Sequence, residues 1–224
     1  DVARAQSTAR TGEVPRRRST RFVNREVEQH LTPVTDALLQ DPAPADWLSW
    51  RRTRDSHGYS PLDQITRDNV DELQLSWVLA IKEGNNQTTP LVHDGVMFLA
   101  NPGNVVQAVD ALTGDVIWEY RSPLPDDAQR GATRTLALYG DKVFLATLDA
   151  ALVALDAGTG TEVWRTVKAD YTQGFTQRGG PVIANGVVVS GINGCNRYKE
   201  ETCFITGHDP VTGEELWRTS TIAL

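Results

Sequence analysis

The sequence predicts an all-β fold assembled from repeated four-stranded antiparallel units, and three observations predict it. A segment containing Asp-x-x-Thr-Gly recurs three times, each time with a tryptophan four residues after the glycine. Apolar stretches joined by a hairpin-type turn precede each segment. No helix-length crossover separates the units, so each strand is expected to pair with its neighbour in sequence.

The three repeated segments span residues 108–118, 154–164 and 207–217, and their tryptophans are 46 and 53 residues apart. Each unit reads as strand, tight turn, strand, polar loop, strand, Thr-Gly turn and a last strand that carries the tryptophan. A period of about 40 to 50 residues made of four short strands is typical of a β-propeller blade, whereas β-helix repeats are much shorter. The sequence therefore predicts three complete propeller blades.

Each residue type in the repeat has a predicted structural role. The hairpin signals lie at residues 93–95, 140–141 and 185–186. The aspartate before each Thr-Gly can accept hydrogen bonds from backbone within its turn, and the glycine permits a positive φ. The tryptophan offers a large flat surface, so we expect it to pack between adjacent blades rather than to contact a ligand.

The region before the first blade divides into an arm, a helix and a single strand. Residues 1–45 are predicted to form an N-terminal arm and a short helix from Glu26 to Gln40, kinked at Pro33. Residues 46–224 are predicted to be the N-terminal portion of the propeller domain. Residues 73–79 are predicted to be a strand of a further, partial blade.

Three blades and a partial one cannot close a ring of the usual four to eight blades. We therefore expect a partner, the remainder of the propeller, either in the same chain beyond residue 224 or in a second chain. Such closure would also protect the exposed strand edges.

Composition narrows the function. The net charge of -7 argues against nucleic acid as a partner. The sequence contains no run of 18 apolar residues, so no membrane span is predicted. The two cysteines, Cys195 and Cys203, flank a polar insertion. A local disulfide is their simplest use and would indicate an oxidising compartment, so a periplasmic or secreted location is expected. Two free thiols in a cytosolic protein are the alternative.

Three stretches of sequence carry a resemblance to a known family: residues 46–53 (DWLSWRRT), 58–65 (GYSPLDQI) and 89–97 (TPLVHDGVM). They are similar to the quinoprotein alcohol dehydrogenases, eight-bladed propellers that use pyrroloquinoline quinone (PQQ) and a bound metal ion. The resemblance runs from about residue 34 to residue 224. It implies oxidation of a small-molecule alcohol in the periplasm, with electrons passed to an acceptor such as a cytochrome.

The resemblance also implies positions for the cofactor. PQQ is a planar tricarboxylate, so its pocket needs cationic or amide donors around the rim. Arg134 matches the family arginine that pairs with a cofactor carboxylate. Gln87 stands where the family has a glutamate, and either Arg178 or Thr176 takes the place of a threonine that reaches the cofactor.

The turn at residues 191–197 is the third implied contact with the cofactor, through Gly194 and Cys195. Asn196 stands where relatives have the glutamate that binds calcium or a lanthanide, and an amide oxygen is a weaker ligand for such ions. The adjacent cysteines that cover the cofactor in many relatives are missing from residues 128–131.

The general base of the family lies beyond the matched stretch, so no catalytic residue is assigned, and the four histidines are interpreted as structural. The departures at Gln87, Asn196 and residues 128–131 favour an alternative of another class: a cofactor-free propeller scaffold or assembly protein of the same superfamily.

Overall fold

The fold is seen in a computed structural model, which describes residues 31–194 and 203–221. Three four-stranded antiparallel sheets follow one another, and within each sheet the strands pair in sequence order, which confirms the predicted blades. The first sheet contains β1 (Leu91–His93), β2 (Val96–Asn101), β3 (Val105–Asp110) and β4 (Val116–Arg121). The second contains β5 (Ala137–Tyr139), β6 (Lys142–Ala146), β7 (Ala151–Asp156) and β8 (Glu162–Val167). The third contains β9 (Val182–Ala184), β10 (Val187–Gly191), β11 (Phe204–His208) and β12 (Glu215–Ser220).

The other regular elements are short. In residues 31–194 and 203–221 one α-helix, α1, spans Asp36–Gln40, and single 3-10 turns span Val70–Glu72 and Tyr171–Gln173. No helix within the described ranges is long and apolar enough to span a membrane.

The predicted turn chemistry is confirmed. In the β1–β2 hairpin Asp94 and Gly95 have φ of 48° and 77°, and in the β9–β10 hairpin Asn185 and Gly186 have φ of 48° and 74°. Positive φ at both central residues is the type I′ geometry that matches the twist of paired strands. The β5–β6 hairpin turns at Gly140, whose φ is 59°.

The Asp-x-x-Thr-Gly turn has the same geometry in all three blades. In the first blade Asp110 Oδ1 accepts hydrogen bonds from the backbone nitrogens of Leu112 and Thr113, and Gly114 has a φ of 78°. Asp209 Oδ1 accepts the same two backbone bonds in the third turn, and Asp156 Oδ1 accepts the one from the Thr159 nitrogen in the second. A turn fixed by its own side chain sets the start of the last strand in each blade.

The tryptophans join adjacent blades. Trp118 Nε1 donates to the Ala157 carbonyl over 2.9 Å, and its ring lies on Gly160, where a Cβ atom would approach within 2.5 Å. Trp164 makes the equivalent bond to the Pro210 carbonyl over 3.1 Å. Trp118 and Trp164 therefore pack on the Thr-Gly turn of the next blade, as predicted. Trp217 of the third blade lies against Gly207 of its own sheet and is 40% exposed, so its packing between blades stays a prediction.

The helix near the start of the described residues is shorter than predicted. Instead of running from Glu26 to Gln40, helix α1 begins only at Asp36, with Thr35 as its N-cap accepting from the Leu38 nitrogen. Val34, predicted to be helical, exchanges two backbone hydrogen bonds with Gly140 and is held in an extended conformation. The part of the prediction before residue 31 lies outside the described residues.

Residues 73–79, predicted to be a strand, form none. Their backbone has no ladder partner among the described residues, and Leu75 and Val78 are 80% and 77% exposed. Trp77 nevertheless occupies the place of a repeat tryptophan, because its Nε1 donates to the Ala111 carbonyl and its ring lies on Gly114. This segment therefore keeps the tryptophan packing of the repeat, whereas no strand of the described residues pairs with it.

Candidate cofactor pocket

A cavity of about 370 Å³ lies at the end of the blades opposite the β1–β2, β5–β6 and β9–β10 hairpins. The loops before the first strand of each blade form most of its wall, together with the turns that follow β2 and β6. Leu124, Leu148 and Pro102 supply apolar surface. The volume is within the range of small-molecule sites. Among the described residues, the charged side chains of the wall are four cations and one carboxylate: Lys82, Arg130, Arg134, Arg178 and Glu83.

Three of the predicted cofactor contacts, Gln87, Arg134 and Arg178, line this single cavity although they come from three different blades. Gln87 and Arg178 occupy the same repeat position, four residues before β1 and β9 respectively. The fold therefore brings together the side chains that the resemblance predicts as cofactor contacts. Two of them are guanidinium groups that line the same cavity.

The other predicted contacts are placed differently. Thr176 is buried, and its hydroxyl donates to the Leu148 carbonyl over 2.7 Å, so it is not among the residues that line the cavity. Gly194 also lies off the cavity wall, packed on Gly174 and Phe175. Between the two candidates at that position, the geometry favours Arg178 over Thr176. Cys195 and Asn196 lie outside the described residues.

Arg178 makes few hydrogen bonds with the part of the chain that the structure describes. Its Nη2 reaches Gln129 Oε1 over 3.4 Å, its backbone carbonyl accepts from Arg134 Nη1 over 3.4 Å, and its guanidinium lies against Gly131. Its Nε is buried and has no hydrogen-bond partner among the described residues. A buried donor without a partner costs free energy, so an anionic ligand in the cavity would find donor capacity still free.

The sequence interpretation missed two cations of the cavity, Lys82 and Arg130. Both lie on loops without a repeat signature, so no pattern in the sequence marked them. Together with Arg134 and Arg178 they give the wall the cationic character that a polycarboxylate requires.

One group of three possible metal ligands comes together within the described ranges: Asp46, His93 and Asp94. His93 Nδ1 lies 3.1 Å from Asp46 Oδ2, and His93 Nε2 lies 2.7 Å from the Thr32 carbonyl. Both ring nitrogens thus already have protein partners. The group ties the N-terminal segment to the first hairpin, in keeping with a structural role for His93.

The Cys195–Cys203 disulfide stays a prediction, because Cys195 lies outside the described residues. Cys203 is buried just before β11 and is not a free cysteine. We expect thiol labelling of the denatured, unreduced protein to leave Cys195 and Cys203 unmodified, and labelling after reduction to modify both. A nine-residue loop closed in this way would gain roughly 2–3 kcal/mol in the chain-entropy model. Two reactive thiols before reduction would contradict the bridge.

Comparison with known proteins defines the class. The family model described as "PQQ: Glucose/ethanol/alcohol dehydrogenase, beta-propeller domain" matches residues 47–223. The chain belongs to this family of quinoprotein dehydrogenases, as the resemblance predicted.

The relatives that it matches are larger proteins. A quinoprotein alcohol dehydrogenase of Pseudomonas putida is 36% identical over 200 residues, covering 86% of this chain and 33% of the relative. The dehydrogenase subunit of an alcohol dehydrogenase (quinone) of Komagataeibacter europaeus is 38% identical over 190 residues, covering 80% of this chain and 25% of that protein. The chain thus spans about a quarter to a third of their length.

Solved structures agree with this assignment. The quinohemoprotein alcohol dehydrogenase of Pseudomonas putida HK5 superimposes with a TM-score of 0.76 at 35% identity, covering 86% of this chain and 29% of that one. A europium-containing methanol dehydrogenase gives a TM-score of 0.71 at 28% identity, covering 82% of this chain and 33% of that one.

Proposed function

We propose that the complete protein carrying this chain is a PQQ-dependent alcohol dehydrogenase, and that this chain supplies one wall of its cofactor pocket. The observation that carries the proposal is the convergence of Arg134 and Arg178 on one cavity in a member of this family. Planar guanidinium groups pair with carboxylates in a bidentate manner and hold them in a fixed orientation.

The residues of the wall divide the work of binding. Arg134 and Arg178 pair with carboxylates of PQQ, and Lys82 and Arg130 add positive potential at the rim. Gln87 offers an amide, so it can contact the cofactor without adding a negative charge. Leu124 and Leu148 line the cavity with apolar surface that would exclude water around a bound ligand, which would strengthen the ionic contacts beside it.

When bound, PQQ supplies an ortho-quinone that accepts a hydride from the alcohol carbon. The chain's own contribution is to bind and orient the cofactor. No residue of the described ranges is assigned as the base that takes the hydroxyl proton. Calcium or a lanthanide is proposed as the accompanying metal, with Asn196 as a ligand. That a similar methanol dehydrogenase contains europium supports a metal here.

The proposal extends to location and partners. We place the protein in the periplasm or outside the cell, with a cytochrome or a comparable carrier as electron acceptor and a small alcohol as substrate. The larger size of the relatives supports the rest of the propeller as a partner of this chain. The cofactor-free scaffold fits less well, because a scaffold has no need for four cations around one cavity.

The experiment is an alcohol oxidation assay on the complete protein. Protein freed of cofactor is incubated with PQQ and with either Ca²⁺ or La³⁺, and reduction of an artificial electron acceptor by primary alcohols is followed. We expect activity that depends on both PQQ and one of the metals. Absence of activity under every combination, together with no detectable PQQ binding, would favour the scaffold instead.

A further inference from the structure

Lys168 is a buried lysine to which the proposed function assigns no role. Lys168 is 4% exposed. Its Nζ donates to three neutral oxygens: Gln177 Oε1 at 3.2 Å, the Ser190 carbonyl at 2.9 Å and the Gly191 carbonyl at 2.9 Å. No carboxylate of the described residues forms a salt bridge with it. Burial of an ammonium without a paired carboxylate is costly, so the position requires an explanation.

The fold itself does not require a lysine at this position. Lys168 follows the tryptophan of its repeat by four residues, and the same position is Ser122 in the first blade and Thr221 in the third. In all three blades the backbone nitrogen of this residue donates to the carbonyl of the residue directly before the third strand of the same sheet. The backbone role is therefore shared, whereas the ammonium is particular to the second blade.

The third blade provides the matching acceptors. Ser190 is the fourth residue of β10, and the fourth residues of β2 and β6 are the buried leucines Leu99 and Leu145. Ser190 Oγ donates to Gln177 Oε1 over 2.7 Å, and Gln177 Nε2 donates to the Ala151 carbonyl over 2.7 Å. Where the first two blades have a buried leucine, the third has a serine that belongs to the hydrogen-bond network around Lys168.

This network is connected in two ways to Arg178, which lines the cofactor cavity. Gln177 directly precedes Arg178 in the chain. Gly191, held by Lys168 through its carbonyl, begins the turn to Asn193, and Asn193 Oδ1 accepts from the backbone nitrogen of Arg178 over 3.2 Å. Lys168 therefore holds both segments that fix the backbone of Arg178.

The charge of Lys168 is set by its surroundings. Burial, reinforced by the nearby guanidinium of Arg218, lowers the pKa of Lys168 to about 7, and Glu215 opposes this shift. His208 on β11 also faces this region, and burial lowers the pKa of its imidazole. Three acceptors match the three N–H groups of the ammonium, whereas a neutral amine would leave one acceptor unsatisfied.

We propose that Lys168 is a positioning residue for Arg178, holding Gln177 and the Gly191 turn so that the Arg178 guanidinium faces the cofactor carboxylates. The inference rests on the proposed function, since it names the residue that prepares the same pocket. Lys168 does not itself line the cavity.

The test uses Lys168→Met in the complete protein, because methionine keeps the length of the side chain and removes its donors. PQQ binding is measured by equilibrium fluorescence titration at 25 °C. We expect the Kd to rise about tenfold or more, as the loss of a charged hydrogen bond predicts. Lys142→Met is the matched control, because Lys142 lies beside the hairpin at the far end of the second blade, and it should bind like the wild type.

A pH profile separates positioning from mere stabilisation. Wild-type affinity should fall as the pH rises through about 7 and the ammonium loses its proton, and this dependence should be absent in Lys168→Met. If Lys168→Met fails to fold, Asn193→Ala, which removes the next support of Arg178, should raise the Kd by a similar factor.

The outcomes separate the two proposals. If the wild-type protein does not bind PQQ, the proposed function falls and this inference falls with it. If the wild type binds and folded Lys168→Met, or Asn193→Ala in its place, binds equally well, the positioning role alone is overturned.

Discussion

Replacement of Trp118 by alanine is expected to lower the free energy of unfolding by about 3–5 kcal/mol, the range for a large buried aromatic side chain. Trp118 is 3% exposed and stacks at a tilt against Phe98, with ring centroids 6.0 Å apart. The substitution also leaves the Ala157 carbonyl without its indole donor. Because the ring joins the first blade to the second, chemical denaturation of the complete protein should register the loss directly.

A control from the same blade distinguishes this packing from a general effect. Leu112 lies in the adjacent Thr-Gly turn and is 82% exposed, so Leu112→Ala should change stability by no more than about 0.5 kcal/mol. Equal effects of the two substitutions would contradict a specific role of the tryptophan between the blades.

The second large effect is expected on cofactor binding. Arg134→Ala should weaken PQQ binding by on the order of 1.5–3 kcal/mol, because a charged hydrogen bond to a carboxylate is lost. Arg134 is exposed, and the hydrogen bond that it loses within the chain is the long one of 3.4 Å to the Arg178 carbonyl, so the protein should still fold. Cofactor titration of the complete protein measures the difference.

Arg121→Ala provides the comparison for Arg134→Ala. Arg121 ends β4, and its side chain is 58% exposed and pairs with Glu119, outside the cavity wall. Its removal should leave the affinity for PQQ unchanged. An Arg134→Ala variant that also titrates like the wild type would remove Arg134 from the pocket.

The parts of the fold that sequence predicts well are those whose cause is local. Asp110 and Gly114 fix their turn through contacts within a few residues, so the repeat can be read directly from the chain. The helix was predicted too long because an apolar period cannot reveal that Val34 pairs with Gly140, more than a hundred residues away. Residues 73–79 have the composition of a strand, but pairing depends on a neighbour that composition does not specify.

The residues of the candidate site likewise differ in whether a local sequence motif identifies them. Arg134 and Arg178 were found because motifs around them resemble a family, whereas Lys82 and Arg130 reach the cavity from loops with no motif. Lys168 was missed although a signal existed. Alignment of the repeats by their tryptophans sets this lysine against Ser122 and Thr221, and a charged residue at a position that is otherwise hydroxylic marks a departure worth explaining.

The most direct measurement is a crystal structure of the complete protein with PQQ bound. We predict density for the planar ligand in the cavity lined by Arg134 and Arg178, with a carboxylate within hydrogen-bonding distance of each guanidinium. Gln87 should lie beside the ligand, and Lys168 should remain behind Arg178 without touching it. Density for PQQ away from this cavity, or a cavity filled by side chains from the rest of the protein, would contradict the account.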